Sequence, residues 1–416
     1  MNIYFSGIGG VGIGPLAMLA QDAGHTVFGS DAVKSPMFND LAERGAGVSL
    51  DQSGKFIDTV NRSNEIDLLV YSAGIPADHP ELKYAREYSI TSVKRHRLIN
   101  QLIEYKKMKL IGVSGTHGKT TATGMFIWVF KELGISISYS VGTRLSFGPA
   151  AQYEHDSEFF VYEADEFDRN MLEFKSHLAV ITSLDYDHPD TYATKEEYRQ
   201  AFVQFVKQSD SAIGWGGGGL SEDNLKLLDT VDPEITLHGD HNKSNATLVL
   251  KSVQKLFPNV EKDKILEALN NFPGTERRFE RLSNNLYTDY AHHPTEIAST
   301  IQLAKELNKN VVIVYQPHQN IRQHHLLKDG GYKNAFKGAA KVYWLPTYLS
   351  REDEKLKTLS ATKLIESNAD NSFIQKAEMN DDLKKKIEEH LSNGNLVVTM
   401  SAGDLDGWIR RLADNN

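Results

Sequence analysis

The chain has 416 residues, 40% hydrophobic and 24% charged, and its 46 Lys plus Arg against 55 Asp plus Glu give a formal net charge of -9. That is more chain than one ordinary core needs, so two or three domains are expected, and the acidity argues against a nucleic-acid groove. The absence of cysteine excludes disulfides and thiolate chemistry. No stretch approaches the ~18 apolar residues of a membrane helix and the chain opens on a strand with no signal-type leader, so no membrane partner and a cytoplasmic location are expected.

Asn2–Ser6 reads as a strand that meets Gly7, Gly9, Gly10 and Gly12. A helix follows through Gln21, and a second strand, Thr26–Gly29, leads to Asp31. Glycines between strand and helix permit a tight turn and close approach of backbone to a diphosphate at the helix N-terminus, and an acid about twenty residues on can bind ribose or other hydroxyls. Taken alone, this motif makes NAD the default ligand. The apolar strand in 67–76 ends at a turn carrying Ser72. A helical segment at 81–87, a short strand at 90–93 and the helix Arg95–Tyr105 complete a first domain expected over 1–108. The basic run 106–109 reads as a linker.

The second domain is expected over 109–275 and is organised around LIGVSGTHGKTTATG, residues 110–124. An apolar strand, a loop holding Gly115, Thr116, Gly118, Lys119, Thr120 and Thr121, and a helix over Met125–Leu133 occur in the order of a phosphate cradle. Backbone N–H groups face the anion, Lys119 supplies a point charge, and Thr120 offers a hydroxyl to Mg2+. Val113 stands where the strict pattern has glycine, so this is a variant P-loop, and ATP is the expected ligand. The strand Phe159–Tyr162 ends in Glu163, Asp165 and Glu166, and the strand Leu178–Ser183 ends in Asp185, Asp187 and His188. Hard oxygen ligands at strand ends beside a triphosphate loop suit Mg2+. Beyond the helix Lys195–Lys207 and the strand Ala212–Trp215, Gly216–Gly219 read as a flexible loop. A polar stretch then leads to a helix within 237–257 whose apolar face carries Val249, Val253 and Leu256.

The third domain is expected over 276–416. Arg277 and Arg278 precede a turn at Asn284–Asn285 and the cluster DYAHHPTE at 289–296, where Pro294 opens a helix. Strands over Asn310–Tyr315, Ala340–Leu345, Thr358–Ser360 and Leu396–Met400 alternate with helices, the last of them Met379–Leu391. Arg278, Asp289, His292, His293, His318 and Arg322 form a second polar set, suited to an anionic co-substrate. His292 and His293 are adjacent and point in different directions, so no zinc is assigned. The fold class is α/β in three domains: an N-terminal Rossmann-like domain, a central P-loop ATP-binding domain and a C-terminal Rossmann-like domain. The simplest enzyme with these parts joins two substrates at the expense of ATP.

GIGGVGIG, SGTHGKTTAT, EADEFD, DYDHPDTY, HGDHNKSNA, GTERRFE, YTDYAHHPTEI, QPHQNIR and SAGD stand in the order and spacing of the Mur ligases, and the chain resembles that family from residue 3 to about 404. DHPDTY, DYAHHPTE and QPHQNIR resemble the branch that adds L-alanine. RLSFGPAAQY looks nearer to the branch that adds a murein tripeptide. The resemblance implies a ligase of peptidoglycan precursor synthesis, working as a monomer or homodimer, with ATP, Mg2+, UDP-N-acetylmuramate and L-alanine as its small molecules. By position Gly9, Gly10 and Gly12, with Asp31 and Ser72, would hold the uridine diphosphate, which replaces NAD. Lys119 would neutralise the β- and γ-phosphates, and Thr120, Glu163 and His188 would hold Mg2+. Asn242 or Asn245 and Asp289 would reach adenosine, with Arg278 near its phosphates and His292 alongside. His318 and Arg322 would lie at the amino-acid and acyl-phosphate end. The region between Gly219 and Leu237 is shorter than the family's usual segment.

Overall fold

The structure, a computed structural model, describes residues 1–72, 74–188, 191–350, 352 and 356–413. Met1–Val231 with Ala246–Phe272 form one compact unit, and Asp232–Asn245 with Pro273–Asn416 form a second. The first contains two sheets and the second contains one.

The first sheet consists of β1 (Asn2–Ser6), β2 (Thr26–Ser30), β3 (Gly47–Ser49), β4 (Leu68–Tyr71) and β5 (Thr91–Lys94), all parallel in the order β3-β2-β1-β4-β5. This is the doubly wound arrangement, in which strand order reverses at the β1–β4 pair and leaves a crevice beyond their carboxyl ends. The glycine turn leaves β1 at that crevice, and Ser72 leaves β4 there. Two helices, Pro36–Glu43 and Lys55–Asn64, fill the span between β2 and β4 to which no element was assigned from the sequence. The first starts where the Ser35 hydroxyl accepts the Phe38 N–H and Pro36 sits at a position whose own N–H is not needed.

The second sheet contains β6 (Lys109–Ser114), β7 (Ile137–Ser140), β8 (Ala151–Gln152), β9 (Phe159–Glu163), β10 (Leu178–Ile181), β11 (Ala212–Trp215) and β12 (Leu225–Leu228), ordered β12-β11-β10-β6-β9-β7-β8. Only the β7–β8 pair is antiparallel. Leu110–Ser114 is buried throughout, as expected of a central parallel strand covered on both faces. Here the order reverses at β6, whose neighbours β9 and β10 carry the acidic strand ends. The β6 helix begins at Lys119, a turn and a half before the expected Met125, because Gly118 in left-handed conformation (φ 84°) ends the loop directly at the lysine.

The region after β11 departs from expectation. Gly216–Gly219 form a defined turn: Gly216 N–H donates to Leu228 O, and Arg199 Nη1 donates to Gly219 O. The polar stretch that follows contains β12, an edge strand paired with β11 whose Lys226 and Leu227 are exposed. Its alternation is too weak to read as a strand without the partner.

The third sheet contains β13 (Glu280–Ser283), β14 (Leu286–Asp289), β15 (Val311–Tyr315), β16 (Lys341–Trp344), β17 (Ile374–Lys376) and β18 (Leu396–Met400), ordered β13-β14-β18-β15-β16-β17. β13 and β14 form an antiparallel hairpin, turning at Asn285 with φ 58°, and the remaining pairs are parallel. Residues 358–360, expected as a strand, are instead the lead into helix Ala361–Ile365, capped by the Ser360 side chain; the edge strand is β17. Insertion of β18 between β14 and β15 places the ends of those three strands, Asp289, Ser401 and Gln316, side by side.

Candidate active site

The register of the second sheet explains why its polar residues meet. Val113 of β6 pairs with Glu163 of β9, and Ser114 pairs with Ile181 of β10, so both acidic loops begin level with the glycine loop. Gly115 has φ 137°, and a Cβ there would lie 2.2 Å from Thr182 Oγ1 and 2.8 Å from the Ser183 N. Only glycine lets the loop pass this close to the end of β10. Thr116 braces the loop: its N–H donates to Ser183 O, and its hydroxyl donates to Asp185 O at 2.6 Å while accepting the Asp185 N–H at 2.8 Å.

Lys119 does not extend into solvent. Its Nζ donates to Gly115 O at 2.7 Å and lies 2.7 Å from a carboxylate oxygen of Glu166, a side chain only 1% exposed. Burial works against the lysine charge, but Glu166, Asp165 and Glu163 together raise its pKa above the ordinary value. His188 Nε2 is 3.3 Å from the other Glu166 oxygen. Thr120 Oγ1 donates to Glu163 at 2.8 Å, and the second Glu163 oxygen accepts the Gly142 N–H at 2.8 Å. Thr121 is buried beside them in the helix Lys119–Glu132. The P-loop cation, the Thr120 hydroxyl, Glu163 and His188 thus share one strand-end cluster. Glu166, which joins Lys119 to His188, was visible only as one acid in a run of four. Pro189 and Asp190 of the DHPDTY motif lie outside the described residues.

Among the described residues no group of three or more His, Asp or Glu converges on a point that could hold a metal. The Thr120 hydroxyl and Glu163 carboxylate are nevertheless the donor set that fits Mg2+, which is usually held by one or two protein oxygens, with phosphates and water completing its shell.

At the first sheet, Gly9 N–H donates to Asp31 Oδ2 at 2.9 Å, and Val33 N–H donates to Asp31 Oδ1 at 3.1 Å. Ser35 Oγ donates to Gly9 O at 2.7 Å. Asp31 therefore shapes the glycine loop. Ser72 lies beside Gly7, its Cβ 3.7 Å from where a Gly7 Cβ would stand, and its hydroxyl accepts the Gly74 N–H. Gly10 closes the turn on Gly7 O, and Gly12 lies under the guanidinium of Arg95, whose Nη1 is 2.7 Å from a Cβ built there.

In the second unit, Asp289 accepts the Phe279 and Ala291 N–H groups, both at 2.7 Å. Burial raises its pKa in spite of Arg278 and these two donors. Arg277 and Arg278 lie over the Tyr290 ring, 4.6 and 5.0 Å from its centroid. His293 caps helix Pro294–Leu307, and Glu296 reaches back to complete a capping box. His292 points elsewhere: its Nδ1 is 3.0 Å from Tyr290 O, and its ring is 6.0 Å from that of His318. His318 stacks on Tyr348 at 5.9 Å, and Arg322 follows one turn into helix Asn320–Lys328, where its charge acts on the buried Tyr315–Tyr332 pair. Asn242 donates to His238 O, and Asn245 is buried one turn on in helix Asp240–Leu256.

Three family models cover most of the chain: the Mur ligase family catalytic domain matches residues 2–107, the Mur ligase middle domain 113–214, and the Mur ligase glutamate ligase domain 277–403. The UDP-N-acetylmuramate–L-alanine ligase of Clostridium acetobutylicum is 30% identical over 450 aligned positions, covering 97% of this chain and 95% of that protein. The crystal structure of a UDP-N-acetylmuramate–alanine ligase from Thermotoga maritima superposes with a TM-score of 0.80 at 23% identity, covering 100% of this chain and 99% of that one. A murein peptide ligase from Psychrobacter arcticus gives a TM-score of 0.66 at 21% identity, covering 100% and 98%. The architecture is accordingly the three-domain α/β arrangement of these enzymes, with Rossmann-like outer domains, and the chain belongs to the Mur ligase family.

Proposed function

We propose that this chain joins L-alanine to the lactyl carboxylate of UDP-N-acetylmuramate through an acyl phosphate, using ATP. The carrying observation is the cluster at the ends of β6, β9 and β10, where Lys119, paired with Glu166, adjoins Thr120 and Glu163. The activity named for relatives similar along nearly the whole chain supports L-alanine as the amine. In this reading residues 1–108 hold the uridine diphosphate, 109–275 hold ATP, and 276–416 hold the amino acid and part of the nucleotide.

The substrate carboxylate attacks the γ-phosphorus, the bond to the β,γ-bridging oxygen breaks, and ADP leaves. Lys119 neutralises phosphate charge during this transfer, fixed in place by Gly115 O and Glu166. Thr120 and Glu163, with His188 nearby, would hold Mg2+, which would supply further charge neutralisation when bound. The amine of L-alanine then attacks the acyl carbon, and the carbon–oxygen bond to phosphate breaks, with net release of one proton. His318 and Arg322 serve the amino-acid and acyl-phosphate end, Arg278 the nucleotide phosphates, and Asn242 or Asn245 with His292 the adenosine. The location is the cytoplasm, where these precursors are made.

The test is phosphate release from ATP, Mg2+ and UDP-N-acetylmuramate, first with L-alanine and then with L-alanyl-γ-D-glutamyl-meso-diaminopimelate. Release with L-alanine, and a UDP-linked alanyl product by mass, is expected. Release with the tripeptide alone would overturn the choice of amine, in the direction to which RLSFGPAAQY pointed.

A further inference from the structure

Arg95 has no part in the assignments above, yet it stands between their two anion sites. It is the first residue of helix Arg95–Lys106, directly after β5, and its side chain is 19% exposed. One end of the guanidinium lies over Gly12 in the glycine loop of the first sheet. The other end, Nη2, is 3.5 Å from Asp165 Oδ2 in the acidic loop after β9 of the second sheet. Asp165 in turn is held in its charged form, against desolvation, by Lys119, then Arg95 and His188.

The neighbours of Arg95 anchor the same junction. Lys94 is 3.2 Å from Asp168, His96 is 3.6 Å from Glu173, and Asn100 donates to Glu173 O. Asp168 and Arg169 both have positive φ, 53° and 56°. Such backbone is strained and persists where surrounding contacts impose it. The acidic loop is therefore shaped partly by the start of this helix. The Arg95–Asp165 contact itself is loose, longer than a charge-assisted hydrogen bond of about 2.7–2.9 Å. A guanidinium poised over a diphosphate-binding loop, with a carboxylate at the long end of ion-pair distance as its resting partner, is ready to exchange that partner for a better one.

We propose that Arg95 grips the diphosphate of the ligand bound at Gly9–Gly12 and loosens from Asp165 as it does so, which leaves Asp165 to the Lys119 cluster and ties occupancy of the glycine loop to the ATP site. This rests on the reading that the glycine loop holds a uridine diphosphate. Because coupling between binding sites is reciprocal, ATP bound at Lys119 strengthens diphosphate binding by the same factor.

The experiment is calorimetric binding of UDP, and separately of uridine, to the full chain in wild-type, Arg95→Lys, Arg95→Ala and Asp165→Asn forms. Each is measured with and without a non-hydrolysable ATP analogue and Mg2+. Arg95→Ala should weaken UDP binding at least tenfold and leave uridine binding unchanged, and Arg95→Lys should fall between, since a point charge lacks the guanidinium fork. Asp165→Asn should tighten UDP binding and reduce its dependence on the ATP analogue. Equal loss of UDP and uridine in Arg95→Ala would mean a structural role only, and unchanged UDP affinity would also overturn the proposal. A wild-type chain that binds the ATP analogue but neither UDP nor uridine would instead sink the underlying assignment of the glycine loop.

Discussion

Glu166 illustrates how much of the chemistry rests on a single buried charge. It is the acid that meets both Lys119 and His188, and its side chain is almost wholly withdrawn from water. Removing one member of such a pair strands the other, at a cost of about 3–5 kcal/mol. Glu166→Gln should therefore lower the unfolding free energy by about 3 kcal/mol in denaturant titration, with partial recovery in the Lys119→Met, Glu166→Gln double variant. A double variant no more stable than the additive sum would show that the other acids hold Lys119. Lys119→Ala should abolish phosphate release, and an unaffected rate would refute the assigned site. The lysine was legible from its place after Gly118. Its partner was not, because EADEFD offers four acids and only the fold decides which one turns inward.

At the scale of elements, the glycine loop and its flanking strands form one unit. Gly115 passes so close to Thr182 and Ser183 that an added methyl group has no room, and its φ of 137° excludes other residues independently. Gly115→Ala should cost about 2–4 kcal/mol from overpacking and backbone strain, and should weaken ATP binding more than tenfold. Thermal unfolding and nucleotide titration check the two effects separately; an alanine variant with wild-type affinity would show that the loop shape is not what holds the phosphates. Strand-to-loop-to-helix order was readable here because parallel strands, glycines and helix starts each leave a local signature. β12 and β17 were missed because edge strands are short and defined mainly by a neighbour. The helices Pro36–Glu43 and Lys55–Asn64 were passed over in a polar span whose apolar positions gain meaning only against the first sheet.

At the scale of the whole molecule, stability carries a pH dependence to which one histidine contributes. Burial lowers the pKa of His241 from 6.5 to about 4, opposed by Asp240 and Glu306. Between those values the unfolded chain binds a proton at this site and the folded chain does not. The contribution of His241 is thus fully retained above pH 6.5 and is lost as the pH drops toward 4, by up to about 1.4 kcal/mol per pH unit. His241→Asn should reduce the slope of the stability curve in that window and leave it unchanged at pH 8; parallel curves for the two proteins would remove the assignment. The histidine lies in Asp232–Asn245, a segment that belongs to the second compact unit although the chain around it belongs to the first. No periodicity in the sequence announces that exchange.

The sequence by itself determined the α/β class, three successive strand–helix systems, the P-loop with Lys119 and Thr120, and the family resemblance from residue 3 to about 404. These depend on short-range rules: where glycine must stand, how apolar strands alternate with helices, and which side chains follow a strand end. Only the tertiary structure decided strand order, and with it which ends become neighbours. The placement of β6 between β9 and β10 brings Glu163, Glu166 and His188 to Lys119, and the insertion of β18 between β14 and β15 gathers the third sheet's polar ends. It also decided that Asp31, Thr116, Asp289 and His293 bind backbone, and that Arg95 lies between the Gly12 turn and Asp165. Hydrogen-bond partners and charge neighbours tens of residues apart are set by packing, to which local sequence pattern gives no access.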